Sequence, residues 1–244
     1  MNRDTVLLRD RLIHQAKVLG ADDAGVCLAS DLLNGPSHRK LPRPEGLLDH
    51  HYLLVLALRH PLHEPALDYF VRKDGARYGN SEGNRRLMRI SDRIGRWLGE
   101  EGLSSQDLHY YVEKGGVFLK GAAVLAGLGT IGANNLLIHP SFGTRVRFRA
   151  RLVDFPLTPS TPIDCNPCSD CVHSCLTVCP ERALDSDGFT RDKCQLQLDR
   201  DISNAVILSG DADGSAKREV HYCRICEFSC TYTGGVPSHV KSKR

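Results

Sequence analysis

Nine of the ten cysteines in this 244-residue chain lie after residue 164. Five stand in CNPCSDCVHSCLTVCP, residues 165–180, as Cys165, Cys168, Cys171, Cys175 and Cys179, separated by gaps of two, two, three and three residues. Cys194 follows alone, and Cys223, Cys226 and Cys230 complete the series in CRICEFSC. Gaps of two and three residues let one tightly turned loop present several thiolates to a common centre at a small closure entropy, which is what an iron–sulfur cubane requires. A C-x2-C-x2-C-x3-C run wraps a [4Fe–4S] cluster, and its fourth cysteine ligates the other cluster where two are present. Zinc accepts C-x2-C knuckles, but nine crowded cysteines exceed what one or two tetrahedral sites use. A disulfide framework belongs to an oxidising compartment, for which the sequence carries no export signal.

Eight thiolates serve two cubanes, so one of the nine is surplus. Two registers are open. Cys165, Cys168, Cys171 and Cys175 satisfy the spacing. Cys168, Cys171, Cys175 and Cys179 keep a Cys-Pro ending at Cys179-Pro180 with one residue inserted, and this register is favoured because Cys-Pro followed by a helix start is how a ferredoxin loop exits. Cys165 is then a spare or substituting ligand. Crossed ligation assigns one cluster to Cys168, Cys171, Cys175 and Cys230 and the other to Cys179, Cys194, Cys223 and Cys226.

The length allows one good-sized domain and a small one. A net charge of +3 and a pI near 8.3 are too mild to argue for nucleic acid by themselves. The first residues, MNRDTVLLRDRLIHQ, contain neither a long apolar core nor a twin-arginine pair, and no apolar run approaches the ~20 residues of a membrane span. The expectation is a cytoplasmic protein with no membrane partner and with thiols kept reduced.

The elements that must position the cysteines are legible in part. Val6, Leu7, Leu12, Ile13, Ala16 and Leu19 recur at helical spacing up to Gly20. Residues 24–29 read as a short buried strand, with Cys27 a core residue, and residues 34–46 as a loop. Residues 52–58, YLLVLAL, suit the middle of a sheet. His50, His51, His60 and His63 flank that strand at spacings that match no zinc or haem signature, and read as polar strand ends. Residues 84–102 form a helix with Leu87, Ile90, Ile94, Trp97 and Leu98 on one stripe and five arginines on a solvated face. Residues 108–112 read as a strand and 116–129 as a small-residue helix. The Gly127, Gly129, Gly132 series follows a helix, so it is weak as a dinucleotide fingerprint and instead suggests close approach of backbone to a large flat ligand. Residues 144–153 alternate perfectly, with Arg145, Arg147, Arg149 and Arg151 on one face, read as an edge or solvated face, with an anion-binding stripe as the alternative. Residues 155–163, with three prolines, read as a linker.

AAVLAGLGTIGANNLLI, then GTRVRFRARLVDFPL, then the cysteine run and CRICEFSC together resemble the epoxyqueuosine reductases and the corrinoid-dependent reductive dehalogenases, most clearly over residues 112–230. The resemblance implies an α/β, nitroreductase-like corrinoid-binding domain over residues 1–157 and a ferredoxin-like module with two [4Fe–4S] clusters over residues 158–244. It further implies an oxidoreductase in which the clusters, fed by a low-potential donor of ferredoxin or flavodoxin type, reduce a base-off cobalamin to cob(I)alamin. By position, Gly127, Gly129, Gly132, Asn134 and Asn135 would lie against the corrin and Arg145 near its periphery. Glu113 stands where epoxyqueuosine reductases carry a proton-donating aspartate, and Tyr78 near the family's tyrosine that touches cofactor or substrate. The helical-repeat domain that helps longer members hold tRNA is expected to be absent. Three functions follow: reduction of a bound small molecule, reduction or processing of cobalamin for a partner corrinoid protein, and an epoxyqueuosine-type reduction in tRNA.

Overall fold

The computed structural model describes residues 3–35, 46–74, 76, 79–210 and 216–235. In chain order its elements are α1 (Arg3–Val18), β1 (Asp23–Leu28), β2 (Tyr52–Arg59), β3 (Phe70–Lys73), β4 (Asn80–Ser81), α2 (Glu82–Glu100), β5 (Ser105–Asp107), α3 (Leu119–Leu125), β6 (Thr130–Ile131), β7 (Leu137–Ile138) and β8 (Val146–Val153). Then come α4 (Ser174–Thr177), β9 (Leu184–Asp185), β10 (Gly188–Phe189), α5 (Arg191–Ser203), β11 (Val206–Gly210), β12 (Ala216–Val220) and α6 (Ile225–Phe228).

The main sheet is antiparallel, in the order β1-β2-β8-β5. Strand β2 is apolar throughout because both its faces are covered. Leu54, Leu56 and Leu58 pack against Leu12 and Ala16 of α1 and Leu87, Ile90, Ile94 and Leu98 of α2. Leu53, Val55 and Ala57 pack with Val146, Phe148, Ala150 and Leu152 of β8 against Ala122 and Ala123 of α3. Each of these large aliphatic side chains contributes roughly 1.5–3 kcal/mol by leaving water. Helix α2 starts at Ser81, whose hydroxyl accepts the Asn84 N–H at 3.2 Å. Its outward arginines pair at the surface as expected, Arg85 and Arg89 with Glu82 and Arg86 with Glu64. No helix among the described residues is long and apolar enough to cross a membrane.

The strand expected over residues 108–112 does not form. Strand β5 ends at Asp107, whose carboxylate accepts from Ser91 Oγ at 2.6 Å and Arg149 Nε at 3.0 Å. The chain then turns, with the Tyr111 carbonyl accepting the N–H groups of Lys114 and Gly116. The helix expected over 116–129 is shorter, Leu119–Leu125, and unwinds before Gly127 takes a φ of +72°. The arginine face of β8 is neither solvated nor a ligand stripe. Arg149 pairs with Asp107, and Arg151 Nη1 donates to Ser91 O at 3.0 Å beneath α2, in space left because Gly95 has no Cβ. Arg145 and Arg147 meet Asp68 and Glu227.

The expected linker docks along the sheet edge, with Ser160 N donating to Val26 O at 2.8 Å and Val26 N to Ser160 Oγ at 3.0 Å. A second antiparallel sheet, β11-β12-β3-β4, joins strands from before and after residue 157, pairing Phe70 with Val220 and Val71 with Glu219.

Candidate metal centre

Three backbone features shape the cysteine region. Residues 165–179 stay in turns apart from the single turn α4, entered through His173 in the left-handed region (φ +52°). This conformation is uncommon for a residue with a side chain, and such positions concentrate at functional sites. It brings the His173 N–H to Cys171 Sγ at 3.4 Å. Helix α5 carries Cys194 and projects Asp201, whose carboxylate accepts the Cys223 N–H at 2.6 Å. Helix α6 then lies between Cys223 and Cys230 and includes Cys226.

The result is two groups of thiols. Cys168, Cys171, Cys175 and Cys230 border one cavity, closed by Ile138 and Tyr232. Amide N–H groups face its sulfurs from outside the run as well, Ala133 N donating to Cys168 Sγ at 3.4 Å. Burial pushes the Cys230 thiol up to about 11, with Cys175, Cys168 and Cys171 adding to it as negative neighbours. In the second group, burial pushes Cys226 up to about 12, reinforced by the charges of Cys223, Cys194, Glu227 and Cys179. Cys194 and Cys223 are raised by burial, and each feels Cys179. Ala183 N donates to Cys179 Sγ at 3.3 Å. A metal that binds Cys168, Cys175, Cys194, Cys223, Cys226 and Cys230 as thiolates displaces the protons that burial favours on them. Cys165 is half-buried and is not among the residues bordering the first cavity. Cys27, 1% exposed in β1, is pushed up to about 12 by burial, which fits a core residue.

The glycine loop is tied to this centre. Asn134, buried, donates from Nδ2 to Cys226 O at 3.2 Å and accepts the Leu136 N–H at 3.2 Å. Asn135 has a φ of +57°, and its carbonyl accepts from Lys120 Nζ. Burial, helped by Arg191, lowers Lys120 to about 8. The glycines themselves face the protein. A Cβ on Gly127 would stand 2.4 Å from Thr161 O, one on Gly129 2.4 Å from Ile138 O, and one on Gly132 2.6 Å from Ile138 Cδ1. On the side where a Cβ would point, the loop packs closely on residues 137–138 and 160–161.

The remaining expected site residues lie apart. Glu113 is exposed on the single turn Val112–Lys114, next to Tyr111, whose hydroxyl donates to Gly79 O at 2.9 Å. Tyr78 lies outside the described residues. Arg145 is 3% exposed, and its guanidinium is occupied by His60 O, Asp68 and Glu227. His50, His51 and Asp154 bring their ligating atoms within 4.8 Å of one another. His51 Nδ1 accepts the Leu48 N–H at 3.1 Å, so in the neutral ring the proton sits on Nε2, facing Asp154 at 3.4 Å. This is a close histidine–carboxylate contact at a strand end. Sequence reading missed Asp68, Lys120 and Glu227; the one available signal was that Glu227 is the only acidic residue within CRICEFSC.

No family model matches the chain. An epoxyqueuosine reductase of Lactococcus garvieae is 27% identical over 128 residues, 52% of this chain and 35% of that protein. One from Cyclobacterium marinum is 30% identical over 123 residues, 50% of this chain and 39% of that protein. The chain resembles epoxyqueuosine reductases. Each of the eight curated relatives matched bears that name, and the matched stretch spans well under half the length of these first two. Among solved structures, an epoxyqueuosine reductase superposes with a TM-score of 0.66 at 19% identity, covering 96% of this chain and 68% of that one. A catabolic reductive dehalogenase superposes with a TM-score of 0.64 at 19% identity, covering 98% and 34%. The mixed α/β fold is therefore common to this chain, the epoxyqueuosine reductases and the reductive dehalogenases.

Proposed function

We propose that this chain is a cytoplasmic oxidoreductase that carries electrons through two [4Fe–4S] clusters to a substrate bound against its α/β portion. Cys168, Cys171, Cys175 and Cys230 hold one cluster, and Cys179, Cys194, Cys223 and Cys226 the other, in a ferredoxin-like module following a nitroreductase-like domain. The observation that carries the reading is the single cavity bordered by three thiols of the first run and one from 55 residues later in the chain. Four sulfurs around one space, with amide N–H groups aimed at them, are a donor set suited to a cubane. When bound, the clusters supply one-electron transfer; the chain's own residues position the sulfurs, exclude water through Ile138 and Tyr232, and offer Glu113 as an exposed acid. The donor is a low-potential ferredoxin or flavodoxin.

Cobalamin comes with the resemblance, but the described residues do not fit it at the expected positions. Asn134 is engaged on both sides, and Arg145 is enclosed. The electrons pass from the clusters to the substrate. The test is anaerobic purification with added hydroxocobalamin, iron counting and an EPR-monitored reductive titration. About eight irons per chain support the two-cluster reading, and about four or none overturn it. Retained cob(II)alamin would overturn the misfit at the glycine loop.

The second reading is an epoxyqueuosine-type reduction in tRNA, favoured by the names of all the matched curated relatives. A solved epoxyqueuosine reductase with a TM-score of 0.64 to this chain is in complex with an epoxyqueuosine-modified tRNA-Tyr stem loop. Its test is steeply salt-dependent binding of such a stem loop, followed by turnover with a chemical reductant.

A further inference from the structure

A buried charge assembly lies against the second thiol group. Two carboxylates are each shared by the same three guanidiniums. Asp68 pairs with Arg145 at 3.1 Å, Arg147 at 3.1 Å, and Arg224. Glu227 pairs with Arg145 at 3.4 Å, Arg147 at 3.0 Å, and Arg224 through Nε at 2.8 Å. His60, 1% exposed, faces Asp68 through Nδ1 at 2.6 Å. Burial and then the charges of Arg147, Arg224 and Arg145 push this imidazole down to about 2, so it is neutral. Three cations against two anions leave one positive charge inside the protein.

Isolated buried charge is costly, because water's solvation is lost and low dielectric lengthens the reach of the field. The assembly enters the cysteine module at Arg224 and Glu227. The Glu227 backbone follows Cys226 of one thiol group, and its carbonyl accepts the N–H of Cys230 of the other at 3.2 Å and the hydroxyl of Thr233 at 2.6 Å. The partners of its side chain are Arg147 of β8, Arg145 just before that strand, and Arg224. One carboxylate thus anchors the helix between the two thiol groups to the main sheet, and it is the member of the assembly whose charge acts on the Cys226 thiol.

We propose that this assembly is the built-in counter-charge for the reduced state of the cluster at Cys223 and Cys226, and that Glu227 is the positioning residue that fixes this cluster relative to its neighbour. The inference rests on the two-cluster reading above. In the step concerned, one electron from a low-potential one-electron donor converts [4Fe–4S]²⁺ to [4Fe–4S]⁺, and no bond or proton changes place. The three guanidiniums offset the repulsion between Glu227 and the added electron, so the reduction potential lies higher than the carboxylate alone would set it.

The experiment is an EPR-monitored redox titration of the anaerobically reconstituted full chain with titanium(III) citrate. Arg147→Gln removes one positive charge at the most exposed member, whose side chain is 26% exposed, and is expected to keep the wild-type iron content while shifting the potential of one cluster to more negative values. Glu227→Gln is expected to shift it to more positive values and to change the magnetic coupling between the two reduced clusters. Arg147→Lys, which preserves charge, is expected to titrate like wild type, and it decides the matter with Arg147→Gln if Glu227→Gln fails to fold. Unchanged potentials at full iron content, or shifts of the same sign in Arg147→Gln and Glu227→Gln, would overturn the proposal. Wild-type protein without iron would instead remove the two-cluster reading, and the proposal with it.

Discussion

The side-chain amide of Asn134 donates to the carbonyl oxygen of Cys226 at 3.2 Å, across 92 residues of sequence. The glycine loop and the second thiol group are thus joined by a partly buried hydrogen bond, and the same side chain closes its own loop by accepting the Leu136 N–H.

Replacing Asn134 by Ala therefore leaves two partly buried backbone groups without their partner. The expected cost is about 1–3 kcal/mol. Thermal unfolding should show it as a fall of about 2–4 °C per kcal/mol, accompanied by faster loss of iron to a chelator. An unchanged midpoint would mean that the loop and the cysteine helix are held together by other contacts.

Serine substitutions test the division of the thiols. Cys168→Ser and Cys230→Ser should abolish the same EPR signal, and Cys194→Ser and Cys226→Ser the other, each lowering iron by about four per chain. Cys165→Ser should keep both signals. Loss of a signal in Cys165→Ser would restore the register that begins at residue 165.

His60 makes acid stability predictable in sign. Its folded pKa is about 2, held down by burial and then by Arg147, Arg224 and Arg145, whereas the unfolded ring titrates near 6.5. Between these values the unfolded state binds the extra proton, so the contribution is complete above about pH 6.5 and falls as pH drops, approaching about 1.4 kcal/mol per unit. Denaturant unfolding of His60→Gln between pH 6.5 and 4.5 should give a flatter slope than wild type. Parallel slopes would show that His60 carries a proton when folded.

Glycine substitutions separate packing from propensity. Gly129→Ala puts a Cβ 2.4 Å from Ile138 O at a φ of +148°, and is expected to destabilise by more than about 2 kcal/mol. Gly99→Ala, in α2 with nothing within 4 Å, is expected to stabilise by about 0.5–1 kcal/mol. Urea midpoints in both variants check the pair.

Local pattern located the elements that bury one stripe or two faces. Leu87, Ile90, Ile94 and Leu98 marked α2, and the unbroken apolar run of β2 marked a strand covered on both sides. The alternation of β8 was legible, but the destiny of its arginines was not. Their partners, Asp68, Asp107 and Glu227, lie about 40 to 80 residues away and carry no periodic signal. Strand β12, AKREV, was missed because its charges hide an edge-like strand whose identity depends on pairing with β3. Residues 108–112 have strand-forming side chains, yet capture of Asp107 by Ser91 and Arg149 ends the strand first. The cysteine spacing marked the thiols that the fold gathers into two groups, while the reason for the glycines became visible only with the residues stacked on them.

The pairing of β12 with β3 also sets an order of events during synthesis. Residues 70–73 leave the ribosome some 145 residues before the strand that completes their sheet, and Arg147 waits 80 residues for Glu227, with Asp68 waiting longer still. Until then the nascent chain exposes an unpaired strand edge and a set of buried-to-be charges, a species attractive to chaperones and proteases. Cys230 arrives later still, so a metal donor that delivers iron co-translationally would find only three thiols of the first group. Loading of a metal at the first thiol group is thus expected to follow synthesis of residue 230.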